Sequence, residues 1–251
     1  MDREKLAESV AGTASELRMQ LAHITAASQV LERLADGERA HAYLAVVNQS
    51  ICRMLRIVGR MELMSRLTDE DEIRQFPSPV DLGPWTLELS RRIQGVLQRA
   101  HVTLRYEGPK ILLANVDEPL VRQMLLELIC TVAMPEHEIS LTLTQCDDNA
   151  CFTVRGTALS PDQADWEGDE TRRWEIPLAR RIAQLHGGSL VEEYAAEGGV
   201  TLAATLPIRL HGPSSQLDTP RVAYRPGGFD PVLIALSNLL PSESFLPEEL
   251  N

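Results

Sequence analysis

The chain has 251 residues, of which 44% are hydrophobic and 4% aromatic, and its formal net charge at pH 7 is −12. This length holds one large domain or two modest ones, with a largely aliphatic core. The acidic balance argues against a nucleic-acid partner, because phosphate backbones require a basic surface. The sequence shows neither a signal-peptide pattern nor an apolar run of about 18–20 residues, so we expect a cytoplasmic protein that does not enter a membrane.

The first 70 residues have the three- and four-residue apolar spacing of two long amphipathic helices. Ala35-Asp36-Gly37 is a helix stop, and the second helix is predicted over residues 38–67. Its apolar side comprises Leu44, Val47, Ile51, Met54, Leu55, Val58, Met61 and Leu63. A hairpin of two helices cannot bury both of its faces alone. We therefore predict a homodimeric four-helix bundle for residues 1–70, the alternative being that the hairpin packs on the chain's own second domain.

Residues 77–208 alternate between helical and strand patterns after the break at Phe76-Pro77-Ser78-Pro79. The predicted helices cover residues 84–100, 118–133 and 176–185, and the predicted strands of one mixed sheet cover 102–107, 110–115, 138–145, 151–155, 189–194 and 200–206. Helices on one side of such a sheet form an α/β sandwich, so the fold class is α+β. Residues 209–251 are a Pro- and Ser-rich tail, with a predicted short helix at Val232–Leu240 that docks on the body or on a partner.

Four cysteines occur without Cys-x-x-Cys spacing. Cys52 and Cys130 lie in apolar helical patterns and are predicted core residues. Cys146 and Cys151 flank a predicted strand turn, where a disulfide is geometrically conceivable. We expect free thiols, since nothing in the sequence indicates secretion.

The stretch Ile176–Leu185 followed by His186-Gly187-Gly188 is an amphipathic helix closed by two glycines. It resembles the last helix of the GHKL ATPase domain of histidine kinases. The order of elements over about residues 5–208 is similar to a histidine kinase, from its dimerisation and phosphoacceptor hairpin to the end of its ATPase domain. The resemblance implies a GHKL (Bergerat-type) sandwich for residues 77–208.

The nucleotide-binding positions that the resemblance implies depart from the family pattern. The two asparagines that hold magnesium fall on Glu127 and Thr131, and the aspartate that reads adenine falls on Val154. Gly156 is kept, but the next glycine is Ala158. The Gly-Leu-Gly-Leu positions before the last helix fall on Arg173, Trp174, Glu175 and Ile176.

These departures predict that the chain binds no nucleotide cofactor. Backbone N–H groups approach phosphates only where no Cβ intervenes, and a carboxylate that faces a triphosphate adds repulsion. Glu127 could alternatively ligate a cation, although we predict no metal site.

The phosphoacceptor segment of the family aligns with residues 15–21, so Ser15 occupies the position of the family's acceptor histidine. A serine hydroxyl cannot form the labile phosphoramidate of that histidine, and family-type autophosphorylation is predicted to be absent. His23, eight residues further along the helix, is the rival acceptor and is otherwise a surface histidine.

The sequence therefore favours a catalytically inactive, histidine-kinase-like signalling protein. Because family bundles bind receiver domains of response regulators, the resemblance implies a docking surface on the hairpin. Its predicted residues are Ser15, Arg18, Met19, Ala22 and His23. Two alternatives remain: a histidine phosphotransferase that uses His23, and a divergent ATP-binding sensor histidine kinase.

Overall fold

The computed structural model describes residues 17–19, 21–22, 24–26, 28–31, 37–68, 76–156, 175–195, 199–208 and 228–250. The chain divides into two compact units, with boundaries between residues 73 and 74 and between residues 222 and 223. The N-terminal helices and the C-terminal residues belong to the first unit, and the residues between them form the second.

The first unit is built on two helices. Helical residues 17–19, 21–22, 24–26 and 28–31 make up α1, and Glu38–Thr68 is α2, within one residue of its predicted end. Gly37 has a φ of 96°, and its carbonyl accepts a hydrogen bond from Ala40 N at 3.1 Å, which starts α2. The buried apolar residues of these helices are Leu21, Leu44, Ile51, Leu55, Val58, Leu63 and Leu67.

The C-terminal segment, defined as residues 228–250, lies against α2 within the same unit. It contains α6 (Pro231–Ala235), a 3-10 turn at Ser242–Phe245 and α7 (Pro247–Leu250). Asp230 caps α6, because its side chain accepts a hydrogen bond from Val232 N at 2.7 Å, and Pro231 occupies the first turn. A short helix is therefore present in this apolar island, but it ends at Ala235 and not at the predicted Leu240, and it packs on α2.

The second unit is a mixed five-stranded sheet with strand order β2-β4-β5-β7-β6. The strands are β2 (Thr103–Glu107), β4 (Glu138–Cys146), β5 (Asn149–Gly156), β6 (Ser189–Tyr194) and β7 (Val200–Pro207). β2 and β4 are parallel, and the other neighbours are antiparallel. Alternate residues are buried, as Leu202, Ala204 and Leu206 show in β7, because successive side chains of a strand point to opposite faces.

Three helices pack on the sheet: α3 (Leu82–Leu97), α4 (Glu118–Val132) and α5 (Glu175–Leu185). The predicted α+β class, with N-terminal helices followed by an α/β sandwich, is confirmed. The prediction of a single sheet is wrong in one place. The strand expected at residues 110–115 is β3 (Leu113–Val116), and it pairs antiparallel with β1 (Ser78–Asp81) in a separate two-stranded sheet.

The side chain of Asp81 explains this separate pairing. It accepts hydrogen bonds from Leu112 N at 2.9 Å and from Gly83 N at 3.2 Å. One carboxylate thus caps α3 and also holds the residue that precedes β3. The chain entering α3 and the chain entering β3 are joined at this point.

All four cysteines are free. Cys52 and Cys130 are buried, as predicted, and burial raises the pKa of the Cys52 thiol to about 12. In the β4–β5 register Cys146 faces Asn149 and Cys151 faces Thr144, so the two cysteines are diagonal neighbours. Diagonal Cα atoms lie about 7–8 Å apart, which exceeds the reach of an unstrained disulfide.

We expect two of the four thiols to react with a disulfide reagent such as DTNB in the native protein at pH 8. Cys146 is exposed and reacts first, Cys151 follows more slowly, and Cys52 and Cys130 react only in guanidinium chloride. With a pKa of about 12, the folded protein holds roughly one Cys52 thiol in ten thousand as thiolate at pH 8. Cys146→Ser should remove the fast phase alone. Native labelling of Cys52 would contradict its burial.

Candidate functional site

The inward face of α4 carries Glu127 and Thr131, the two residues that the resemblance aligns with asparagines. Glu127 is 2% exposed and Thr131 is fully buried, and their i, i+4 spacing places them on the same face. Gln123, one turn earlier, donates a hydrogen bond to Glu127 Oε1 at 2.6 Å. This face of α4 therefore presents a buried carboxylate and a hydroxyl group.

Glu175 brings a second carboxylate to the same place. It is the first residue of α5, is 2% exposed, and stands at the second glycine of the Gly-Leu-Gly-Leu pattern. The hydroxyl oxygen of Thr131 lies 3.1 Å from Glu175 Oε2 and 2.9 Å from the carbonyl oxygen of Glu127. A hydroxyl has one hydrogen, so the two acceptors share it. Side chains from two positions of the nucleotide pattern are thus bonded to each other.

Val154 and Gly156, the remaining described positions of that pattern, belong to the hydrophobic packing of the sheet. Val154 is fully buried and faces Leu141 on β4 and Leu202 on β7, so its side chain offers no hydrogen bond to a base. A Cβ on Gly156 would lie 2.6 Å from the carbonyl oxygen of Val132 at the end of α4. Glycine is required here by the approach of two backbones. Ala158 lies outside the described residues.

The His186-Gly187-Gly188 stretch ends α5 in a Schellman motif. Gly188 N donates to Ala183 O at 2.9 Å and Gly187 N donates to Gln184 O at 2.8 Å, while Gly187 has a φ of 81°. A Cβ on Gly188 would lie 1.7 Å from the carbonyl oxygen of Thr205 in β7. The two glycines therefore serve the helix end and its packing on the sheet.

His186 joins the end of α5 to the start of α4. Its Nδ1 lies 2.8 Å from Ile182 O and its Nε2 accepts a hydrogen bond from Asp117 N at 3.2 Å. Because the carbonyl can only accept, these contacts assign the neutral tautomer with its proton on Nδ1. Asp117 in turn caps α4 by accepting a hydrogen bond from Leu120 N at 3.3 Å.

The predicted docking residues fall on a partly exposed region of α1. Met19 is 47% exposed and Ala22 is exposed. Arg18 is half-buried and forms an ion pair with Glu62 of α2, so it braces the hairpin as well as facing solvent. Ser15 and His23 lie outside the described residues, and their roles remain predictions.

The helix α2 has an exposed apolar face as well as a buried one. The apolar periodicity of the sequence did not distinguish the two faces. We call the exposed face the open stripe; its exposed apolar residues are Tyr43, Val46, Val47, Met54 and Ile57, between 39% and 76% exposed. In the sequence, four of these residues follow the 43-47-50-54-57 spacing, which alternates between four and three residues like a coiled-coil seam, and the middle position is the polar Ser50. Leu17, Ile24 and Leu31 repeat at seven-residue intervals on α1 and are also exposed.

Metal-ligand clusters and membrane spans are both absent from the part of the chain that the structure describes. No group of three or more His, Cys, Asp or Glu residues there is placed to ligate a metal ion. Within the same residues, no helix combines the length and the apolarity needed to cross a membrane.

Comparison with known proteins connects this geometry to one class. No family model matches the sequence. The curated protein Sporulation kinase D from Bacillus subtilis (strain 168) is 23% identical over 219 residues, covering 82% of this chain and 42% of that kinase. By this relation and by its fold, the chain is a homologue of the histidine kinases. It spans less than half the length of this curated relative.

Three solved structures share the fold. Full-length ShkA in complex with AMPPNP gives a TM-score of 0.65 at 19% identity, covering 80% of this chain and 45% of that one. Histidine kinase ThkA in complex with response regulator protein TrrA gives 0.55 at 18%, covering 82% and 64%. Acinetobacter baumannii histidine kinase AdeS gives 0.53 at 10%, covering 76% and 95%.

The surroundings of two glycines, Gly188 in the Schellman turn and Gly95 in α3, predict opposite effects of substitution by alanine. Gly188→Ala should lower the free energy of unfolding by about 2–4 kcal/mol, because its Cβ meets the backbone of Thr205. Gly95→Ala, in the exposed interior of α3 with nothing within 4 Å of its Cβ, should raise it by about 0.5–1 kcal/mol. Urea unfolding measures both. Equal stabilities of Gly188→Ala and wild type would contradict the close approach.

Proposed function

We propose that the chain is a catalytically inactive, histidine-kinase-like signalling protein that forms a homodimer and docks receiver domains of response regulators. The contact between Thr131 and Glu175 carries the proposal of inactivity. The proposed dimer is supported by the open stripe on α2. The proposed partner is supported by a relative of the same fold, since ThkA has been solved with a response regulator.

The buried carboxylates argue against a nucleotide on both steric and electrostatic grounds. The Glu175 side chain fills space that the family leaves open with a glycine, and it hydrogen-bonds to Thr131. A carboxylate about 4 Å from a phosphate charge adds about 4 kcal/mol of repulsion at an effective dielectric constant of 20. That energy corresponds to roughly a thousand-fold loss of affinity. Val154 adds no group that would recognise adenine.

A calorimetric titration of the full chain with Mg-ATP, and then with ADP, tests this part of the proposal. We expect no saturable binding at ligand concentrations up to about 1 mM, which corresponds to less than about 4 kcal/mol of binding free energy. An ATP-binding histidine kinase in the same buffer serves as the positive control. Saturable binding below about 1 mM would favour the alternative of a divergent ATP-binding sensor histidine kinase.

That alternative has a specific observation in its favour. The curated relative is named as a kinase, and ShkA, of the same fold, has been solved with AMPPNP. The titration decides between the two proposals. The histidine phosphotransferase hypothesis depends on His23, which lies outside the described residues, so it stays a prediction from the sequence. The cytoplasmic location also stays a prediction from the sequence.

The open stripe supports pairing of two copies through α2. Five large apolar side chains on one exposed face favour association, because each buried large side chain contributes about 1.5–3 kcal/mol. The three- and four-residue spacing suits a helix of a second copy better than a globular surface. Leu17, Ile24 and Leu31 of α1 offer a second row for the same bundle.

The double variant Met54→Glu/Ile57→Glu should therefore be monomeric at micromolar concentration, where wild type is a dimer. Burying four carboxylates in a two-fold interface without partners is strongly unfavourable. Sedimentation velocity measures the oligomeric state. Leu87→Glu on α3, an exposed apolar residue of the second unit, is the matched control and should remain dimeric. A dimeric double variant would contradict pairing through the open stripe.

A further inference from the structure

The C-terminal segment is seated on the helical hairpin through an apolar surface of its own. Leu236 and Phe245 are fully buried, and Val232, Leu233 and Leu240 are at most 4% exposed. Both the 3-10 turn at Ser242–Phe245 and α6 contact α2. Residues predicted to form a tail thus supply a substantial part of the core of the first unit.

Three polar side chains of α2 fix the position of the segment. Asn48 Nδ2 donates to Phe245 O at 3.2 Å, Gln49 Nε2 donates to Leu240 O at 2.8 Å, and Arg53 Nε donates to Ser237 O at 3.4 Å. Later residues of the segment contact earlier residues of α2, so the two run in opposite directions. Carbonyl groups of short helical turns lack partners within the turn, and α2 supplies donors for them.

Asn48 connects the segment to both helices of the hairpin. This residue is 5% exposed, and its Oδ1 accepts a hydrogen bond from Ser28 Oγ of α1 at 3.1 Å. At the start of the segment, a Cβ on Gly228 would lie 4.0 Å from Gln29 Nε2 of α1. The segment therefore lies along a groove that both helices line.

This groove borders the proposed docking surface on α1. Gln29 follows Ala22 by seven residues, which is about two helical turns, so the two share a face about 10 Å apart. A partner of standard size covers about 800 Å², a patch of roughly 16 Å radius. Centred at Ala22, such a patch overlaps the C-terminal segment.

We propose that the C-terminal segment is a displaceable strap: it occupies a docking groove of the hairpin from within the chain and exposes that groove when it leaves. If the strap controls the access of receiver domains to the groove, that role rests on the proposed function. The proposal that the segment is a strap is argued only from its contacts with α1 and α2.

Native-state hydrogen exchange of the full chain tests whether the segment leaves by itself. We expect the amides of Leu236 and Ser244 to exchange at least about ten-fold faster than those of Leu55 and Val58 in α2. Their exchange should also respond little to low concentrations of urea, since a local opening exposes little surface. Equal protection and equal urea dependence of the two sets would mean that the segment leaves only on unfolding, and would overturn the proposal.

Variants then test the contacts that hold the C-terminal segment on α2. Phe245→Ala should speed exchange at Leu236 and Ser244 at least about ten-fold while changing it less than about three-fold at Leu55 and Val58. Met54→Ala, an apolar truncation on the open stripe, is the matched control and should leave the segment unchanged. If Phe245→Ala does not fold, Gln49→Ala/Arg53→Ala removes two partly exposed donors and makes the same test. An unchanged segment in the folded variant would overturn the proposal.

A fluorescent peptide of residues 228–250 tests whether the vacated groove accepts a ligand. We expect the peptide to bind the full-length Phe245→Ala chain, or the donor double variant, at least about ten-fold tighter than wild type, whose own segment competes. Equal binding to both, or no binding to the variant, would overturn the proposal. The measurement needs no receiver domain. If the peptide binds as expected and receiver domains do not, the proposed docking function fails and the strap stands.

Discussion

The hydrogen bond between Thr131 and Glu175 is the contact on which the character of the second unit depends. It joins the inward face of α4 to the first residue of α5, and both side chains are at most 2% exposed. Buried polar groups are generally hydrogen-bonded, and this contact, together with the bond from Thr131 to Glu127 O, meets part of that requirement. ShkA, which shares this fold, has been solved in complex with AMPPNP. In the present chain, two positions that the family pattern gives to the nucleotide carry side chains that bond to each other.

The glycines show which positions of the sequence the fold itself requires. Gly156 and Gly188 must lack a Cβ because the backbone of β5 lies close to α4 and the backbone after α5 lies close to β7. Neither of these close approaches involves a ligand. His186 is likewise used within the protein, between Ile182 and the first backbone N–H after β3. These residues thus support packing, whereas Glu127, Thr131 and Glu175 lie at the positions that the resemblance assigns to nucleotide binding.

The helix α2 organises the first unit by presenting three different faces. One face packs on α1, where Arg18 pairs with Glu62. A second seats the C-terminal segment through Asn48, Gln49 and Arg53. The third is the open stripe, which is apolar and exposed. The open stripe and the groove covered by the chain's own segment therefore occupy neighbouring faces of one helix, so the proposed pairing and the proposed release of the segment use different residues.

The sequence by itself determined most of the helices and strands, because apolar periodicity and helix stops act over a few residues, but it did not predict β1 at Ser78–Asp81. The bounds of α2, α4 and α5 and the turn at Gly187-Gly188 were predicted to within about one or two residues on this basis. Tertiary structure alone decided which side chains meet. Thr131 and Glu175 are 44 residues apart, and Asn48 and Phe245 are 197 apart. Periodicity marks the apolar side of α2 but does not divide it into its three faces, and it placed β3 in the wrong sheet. Such pairings depend on contacts between distant parts of the chain, which only the folded arrangement brings together.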